Sequence, residues 1–167
     1  MFNIREIRED DAATFLNLLA RVDEETQFML LEAGEKQITL EDQRQRIKTI
    51  LSRDNQTILV AENDHDLIGY LAAIGGDFKR NRHRAHIVIG ILQAFTDQKI
   101  GTRLFMKLEE WTRHHAVHRL ELTVMVHNER AIRLYKKMGF EIEGTKKRSL
   151  LVSGSYVDEY YMAKLIP

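Results

Sequence analysis

Four polar residues, Thr96-Asp97-Gln98-Lys99, form a short turn, and Ile100-Gly101-Thr102 follow at the start of a segment with helical periodicity. A helix that begins there leaves its first backbone N–H groups without intrahelical partners and turns its positive dipole end outward, which suits a phosphate or carboxylate. Taken alone the signal is weak, because most glycine-containing turns only start a helix. Two other groups of residues invite chemistry. His114, His115 and His118 gather imidazoles, two of them four apart, but no carboxylate is placed to complete a site, and a helix end that welcomes cations explains them better. No metal is therefore expected. The run Lys79-Arg80-Asn81-Arg82-His83-Arg84 is basic, yet one short run in a neutral chain reads as a solvated loop.

The chain of 167 residues suffices for one domain with a sizeable core. Its 25 Lys and Arg balance 25 Asp and Glu, so no overall field draws it to nucleic acid or to an anionic membrane. The absence of cysteine removes disulfide frameworks, thiolate nucleophiles and thiolate metal sites together. The opening Met1-Phe2-Asn3-Ile4-Arg5-Glu6 is charged too early for a secretory signal, and no apolar stretch approaches the ~20 residues that span a bilayer. A cytoplasmic, soluble protein is the expectation.

The elements around the turn follow from periodicity. Residues 87–92, Ile-Val-Ile-Gly-Ile-Leu, are a continuous apolar run, which predicts a strand covered on both faces. Leu104, Phe105, Leu108 and Trp111 then predict a helix with one inward face. Earlier, Phe2 and Ile4 suggest a first strand. Asp10 or Asp11 can cap a helix whose inward positions are Ala12, Phe15, Leu16, Leu19 and Ala20. Residues 23–34 read as a loop or broken helix, and a second helix follows from Thr39, with Asp42 three residues on in a loose capping box. A hairpin turns at Asn63-Asp64-His65-Asp66 and its second strand ends at Gly75-Gly76. After the central helix, Leu120, Leu122 and Val124 alternate with polar residues. Asn128 caps a helix with Ala131, Leu134, Tyr135 and Met138 inward, and Gly139 closes it in a left-handed conformation. A last hairpin turns at Val152-Ser153-Gly154-Ser155. This is an α/β (α+β) order, and it predicts a single domain over residues 1–167 with one mixed, mostly antiparallel sheet flanked by helices.

Two segments carry a family likeness. Residues 91–104, ILQAFTDQKIGTRL, resemble the coenzyme-binding motif Q/R-x-x-G-x-G/A of the GNAT superfamily of N-acetyltransferases. Residues 128–140, NERAIRLYKKMGF, match the second motif of that family, Asn-x-x-Ala-x-x-x-Tyr-x-x-x-Gly-Phe, at every defined position. The closing hairpin looks like that of members acting on polyamines or protein N-terminal amines. The first motif departs from its pattern in two places: Thr96 stands where Gln or Arg is usual, and Lys99 where the first glycine is usual. Lysine prefers negative φ, so its stem must point outward there, and its charge can either compensate for the missing glycine or accompany a loss of affinity.

The resemblance implies an acetyl-CoA-dependent transfer of an acetyl group to a primary amine, with acetyl-CoA as co-substrate. It assigns the pyrophosphate to the amides of Gln98, Lys99, Ile100, Gly101, Thr102 and Arg103, with the Thr102 hydroxyl in support. It places the oxyanion and acyl contacts on the central strand at Ile89 and Ile91, and gives Asn128 a coenzyme contact beside its cap. Tyr135 becomes the proton donor to the departing thiolate, in place of the core-facing tyrosine that its spacing alone would suggest. For the base that frees the amine, Glu24 is put forward with Tyr135, while Glu121, His86 or a chain of waters remain open. The acceptor is a small-molecule or peptide amine; a homodimer is possible, and neither a nucleic-acid nor a membrane partner is expected. Two other functions stand beside this one: a coenzyme-binding regulatory module of the same fold with little catalysis, and a non-enzymatic interaction domain using residues 79–84.

Overall fold

The computed structural model describes residues 1–167. The strands are β1 (Phe2–Glu6), β2 (Gln56–Asn63), β3 (Asp66–Gly75), β4 (Arg84–Ile91), β5 (Arg119–Met125), β6 (Glu141–Val152) and β7 (Ser155–Leu165). The helices are α1 (Ala12–Glu25), α2 (Leu40–Leu51), α3 (Ile100–Thr112) and α4 (Glu129–Lys137). All seven strands form one sheet in the order β1-β2-β3-β4-β5-β7-β6, mixed and mostly antiparallel as expected. The β2–β3 hairpin turns on Asp64 (φ 49°) and His65 (φ 69°), and the β6–β7 hairpin on Ser153 (φ 49°) and Gly154 (φ 80°). Paired positive-φ residues give the turn whose twist matches that of the flanking strands.

β4 and β5 form the single parallel pair, and their ladder runs only through Arg84↔Arg119, Ala85↔Leu120 and His86↔Glu121. Beyond it β4 continues to Ile91 and β5 to Met125 without pairing to each other, so a gap opens inside the sheet. The carbonyl of Arg84 accepts from the Gly76 amide (3.2 Å) and the Leu92 amide donates to the Ile68 carbonyl (2.9 Å). By alternation, even-numbered residues of β4 turn their main-chain groups to β3, and Ile87, Ile89 and Ile91 turn theirs into the gap.

The side chains of β4 alternate as well. A Cβ on Gly90 would meet Tyr70 and Val22 of α1, whereas Ile91 lies beside Gly101 of α3. Helices α1 and α3 therefore cover opposite faces at this end of β4. Toward its start, Ala85 and Ile87 are buried while Arg84, His86 and Val88 are exposed. The expectation of a strand covered on both faces is corrected here: periodicity saw an apolar run, but no helix reaches the start of β4 on the α1 face.

Three further expectations are corrected. The inward face of α1 is Ala12, Phe15, Leu18 and Val22, with Ala20 exposed. That helix runs on to Glu25, so Glu24 is helical and not in a loop. Asp11 does not cap α1 through its side chain; it accepts the Arg8 amide at 2.7 Å and two bonds from Arg5 at 2.8 Å each, and Arg5 also reaches Glu62 at 2.9 Å. Thr39 does cap α2, accepting the Asp42 amide at 3.0 Å, a contact worth roughly 1 kcal/mol. Under the sheet, Leu104, Phe105 and Leu108 are no more than 1% exposed, and the Phe105 ring meets Tyr135 and Phe140 edge-on at 5.8 and 5.5 Å. This cluster fixes α3 and α4 against the gap.

Candidate active site

The turn into α3 leaves a run of backbone amides without protein acceptors. The Arg103 amide donates to the Lys99 carbonyl at 3.0 Å and closes the first helical turn, while the amides from Asp97 through Thr102 donate to no protein group. Ile100 and Gly101 are nonetheless buried, and a buried N–H without an acceptor is costly enough that native chains seldom leave several together. Asp97 (φ 66°) and Lys99 (φ 63°) both hold left-handed backbone. The preference of lysine for negative φ is thus overridden: Lys99 takes the conformation that a glycine would take, and its exposed side chain leaves the main chain free. A Cβ on Gly101 would lie 2.7 Å from Leu134 Cδ2, so this glycine lets α3 approach α4. Basic groups ring the turn, with Lys137 Nζ 3.4 Å from the Thr102 hydroxyl and Arg130 bonded to Asp97 at 3.2 Å. Arg103 is committed elsewhere, for its guanidinium donates to the Phe2 carbonyl at 3.3 Å and stacks over the Phe2 ring.

At the far end of α4, Asn128 caps the helix by accepting the Ala131 amide at 3.3 Å. Its neighbour His127 meets the Phe28 ring at 5.0 Å, so the segment after α1 crosses from the β4 side of the gap to the β5 side. Tyr135 is buried among Phe105 and Phe140, yet its hydroxyl has no protein partner and is not among the sealed-off polar atoms. Burial pushes its pKa well above the usual tyrosine range, so the group stays protonated at any working pH. Tyr70, on β3, is the second such tyrosine: its ring packs edge-on to Phe15 at 5.4 Å and lies across Gly90, with an equally unpartnered hydroxyl. Burial raises its pKa too, and the nearby charge of Asp23 adds to the effect.

Sequence reasoning missed Tyr70 and Asp23. A tyrosine inside an apolar strand reads as core, and Asp23 falls in the stretch 23–34 that reads as a loop or broken helix, where no periodicity turns it inward. Continued to Glu25, the helix sets Asp23 one turn after Leu19, which packs against the core, and Glu24 one turn after exposed Ala20. Glu24 is accordingly exposed and makes no hydrogen bond, whereas burial holds Asp23 above the usual carboxylate range despite the opposing charge of Lys36. Glu25 accepts the Gln93 amide at 2.7 Å and ties α1 to the end of β4.

The other two base candidates stand together. His86 and Glu121 are the last paired residues before the strands part, and both line a cavity of about 440 Å³ on the face that carries α1, with Arg84, Arg119, Glu143 and Tyr161. Of the histidines after α3, His115 stacks on Trp111 at 4.3 Å and contacts the Asp54 carbonyl at 2.6 Å, while His114 and His118 are exposed.

Comparison with known proteins agrees with this geometry. Residues 14–140 match the family model described as "Acetyltransferase (GNAT) family". The L-amino acid N-acetyltransferase AaaT of Escherichia coli (strain K12) is 40% identical over 111 residues, which are 64% of this chain and 67% of that protein. Among solved structures, a GNAT-family acetyltransferase from Streptococcus pneumoniae superposes over 100% of both chains with a TM-score of 0.96 and 32% identity. YncA from Salmonella typhimurium, solved with its cofactor acetyl-CoA, covers 99% of this chain and 94% of its own with a TM-score of 0.85. Its 16% identity speaks for the fold alone. A gap between two strands, a turn of unpartnered amides beneath it and a family model spanning both make this chain a member of the GNAT family of acetyltransferases.

Proposed function

We propose that the chain transfers an acetyl group from acetyl-CoA to a primary amine by direct attack on the thioester. The observation that carries this reading is the set of amides from Asp97 through Thr102 without protein acceptors, at the foot of the β4–β5 gap. Those amides and the α3 dipole fit a pyrophosphate, and the outward main-chain groups of Ile89 and Ile91 fit an extended amide-bearing arm lying in the gap as a missing strand. Acetyl-CoA supplies an activated acyl carbon.

The chain's own groups then have distinct tasks. The acceptor enters from the face of Glu121, His86 and Asp23 and gives up its ammonium proton there, directly or through water. Its lone pair forms the N–C bond, and the main-chain N–H groups of β4 that face the gap stabilise the oxyanion. As the C–S bond breaks, Tyr135 donates its proton to the leaving thiolate, a role its burial-protected protonated state suits, and the second proton of the attacking nitrogen returns the phenolate to its neutral form, directly or through water. Products are the N-acetylated amine and free coenzyme A, with one proton released to solvent.

Thermal shift with acetyl-CoA and thiol release with an amine panel test the reading. Saturating acetyl-CoA should raise the melting temperature, and Tyr135→Phe should lower turnover about a hundredfold or more while leaving the shift in place. An absent shift sinks the coenzyme assignment, and an unchanged rate removes Tyr135 as the acid.

A further inference from the structure

Gly90 sits between Ile89 and Ile91 on β4 and pairs with Tyr70 of β3. A glycine inside an apolar strand weakens it and marks a place where something approaches closely. Here that something is Tyr70: a Cβ on Gly90 would lie 2.8 Å from Tyr70 Cε1 and 3.4 Å from its Cζ. The hydroxyl end of the ring, not its root, therefore covers Gly90, and the phenol crosses β4 toward the edge that borders the gap. Phe15 holds the ring edge-on at 5.4 Å, and Val22 Cγ1 packs over the same glycine, 3.0 Å from where the Cβ would stand. Tyr70 is only 4% exposed, yet its hydroxyl makes no hydrogen bond and is not sealed from solvent. A buried tyrosine usually finds a partner for its O–H; this one is left open to whatever lies in the gap.

Asp23 follows Val22 in the last turn of α1, and the bond from the Gln93 amide to Glu25 (2.7 Å) pins that turn to the end of β4. Burial raises the Tyr70 pKa most; the charge of Asp23 and the Tyr135 phenol of α4 add to it, and Arg46 of α2 opposes them. Asp23 is half-buried, and burial lifts its own pKa, with Lys36 opposing and Glu35 adding. Distance along β4 sets this pair apart from the other groups on the acceptor side. His86 precedes Ile89 and Ile91 by three and five residues, roughly 10 and 17 Å at the usual rise of a strand. Glu121 pairs with His86 and is held by Arg119 at 2.9 Å. Tyr70 stands instead level with the main-chain groups that face the acyl carbon.

Resting on the acetyl-transfer reading, we infer that Tyr70 is a second catalytic tyrosine, whose hydroxyl holds the attacking amine against the acyl carbon while Asp23 takes the amine's first proton. The ammonium loses that proton to the Asp23 carboxylate, directly or through water. One of its two remaining N–H bonds is donated to the Tyr70 oxygen, which aims the nitrogen lone pair at the acyl carbon. The N–C bond forms and the C–S bond breaks; Tyr135 protonates the thiolate and recovers its proton from the nitrogen. Asp23 then releases its proton to solvent. Tyr70 ends as it began, for burial keeps it protonated and it acts by hydrogen bonding alone. Two phenols thus divide the reaction, Tyr135 from the α4 side for the leaving group and Tyr70 from the α1 side for the nucleophile.

The test follows thiol release by the full chain with saturating acetyl-CoA, from pH 6 to pH 10, for the unaltered protein, Tyr70→Phe and Asp23→Asn. The acceptor is whichever of leucine, phenylalaninamide, tyramine and spermidine the unaltered protein uses best. Tyr70→Phe keeps the ring over Gly90 and removes only the hydroxyl. It should leave the melting temperature and the acetyl-CoA affinity in place and lower kcat/KM for the amine about ten- to a hundredfold at every pH. Asp23→Asn should lower it about a hundredfold or more near pH 7, a deficit that shrinks toward about pH 10, where the amine arrives deprotonated. An unchanged kcat/KM in Tyr70→Phe shows that the tyrosine only packs, and overturns the inference while the acetyl-transfer reading stands. An Asp23→Asn deficit that is absent, or equal at every pH, does the same. Should Tyr70→Phe melt at a lower temperature, the pH profile of Asp23→Asn decides. If acetyl-CoA raises the melting temperature but no acceptor reacts, the transfer reading and this inference fall together.

Discussion

Replacing Lys99 by glycine separates two explanations of its place in the turn. Lys99 holds φ +63° at the N-cap of α3 with an exposed side chain. An L-residue in that region costs roughly 1–2 kcal/mol, which Lys99→Gly removes. Glycine loses more freedom on folding, a cost of roughly 0.5–1 kcal/mol. The net change lies between about zero and 1.5 kcal/mol in favour of the variant, or an upward shift of up to about 6 °C for a chain of this size. Removing one exposed cation beside the anion site costs about 0.2–1 kcal/mol of coenzyme affinity, a weakening of up to roughly fivefold that fades as salt rises. Calorimetric titration with acetyl-CoA at low and high salt, together with a melting curve, reads both quantities. A melting temperature lowered by several degrees would refute the strain argument. A Kd tightened tenfold would show that the lysine stem obstructs the phosphates, so the backbone geometry would not have compensated for the missing glycine.

Two more predictions follow from the packing and the ion pairs. Gly90→Ala places a methyl 2.8 Å from Tyr70 Cε1 and 3.0 Å from Val22 Cγ1; overpacking of this kind costs about 1–3 kcal/mol, and urea unfolding should show it as a lower midpoint. Burial pushes the Asp11 pKa up, but the Arg5 hydrogen bonds, the Arg8 amide and their charges outweigh it and hold the group below its usual value, while the Arg5 bond lowers Glu62. A depressed carboxylate pKa stabilises the fold above the unfolded-state value near 4 and loses that contribution as pH falls through the folded value. Arg5→Met should therefore destabilise the protein at neutral pH, and the difference from the unaltered chain should shrink as unfolding is followed from pH 6 toward pH 2. A difference independent of pH would refute the assignment.

How much of this was legible in the sequence depended on how local each cause is. The hairpin at Asp64-His65, the left-handed Gly139 and the Thr39 and Asn128 caps answer to residues within four positions, and each stands where the sequence places it. The parting of β4 from β5 is different. Nothing in residues 87–92 says where a partner strand stops, so an apolar run that borders a gap looks the same as one buried between helices. The cavity beside the gap was hidden for a related reason: Arg84, Glu121 and Glu143 come from three strands and meet only through the crossover that sets β5 beside β4. Glu24 rests on the resemblance alone, and the helical turn that carries it to the exposed side of α1 while half-burying Asp23 is not marked by any local residue pattern.

The short ladder between β4 and β5 also bears on how the chain is made. Every other pairing on its N-terminal side joins strands adjacent in sequence, β1 with β2, β2 with β3 and β3 with β4. A growing polypeptide leaving the ribosome can complete those four strands before β5 has been synthesised. Among the C-terminal strands β6 pairs with its neighbour β7 while β5 pairs across with β7, and β5 is joined to β4 by three residue pairs. The union of the two halves waits on a strand made later, and the crevice beside that short ladder is the one proposed above for the acyl carrier.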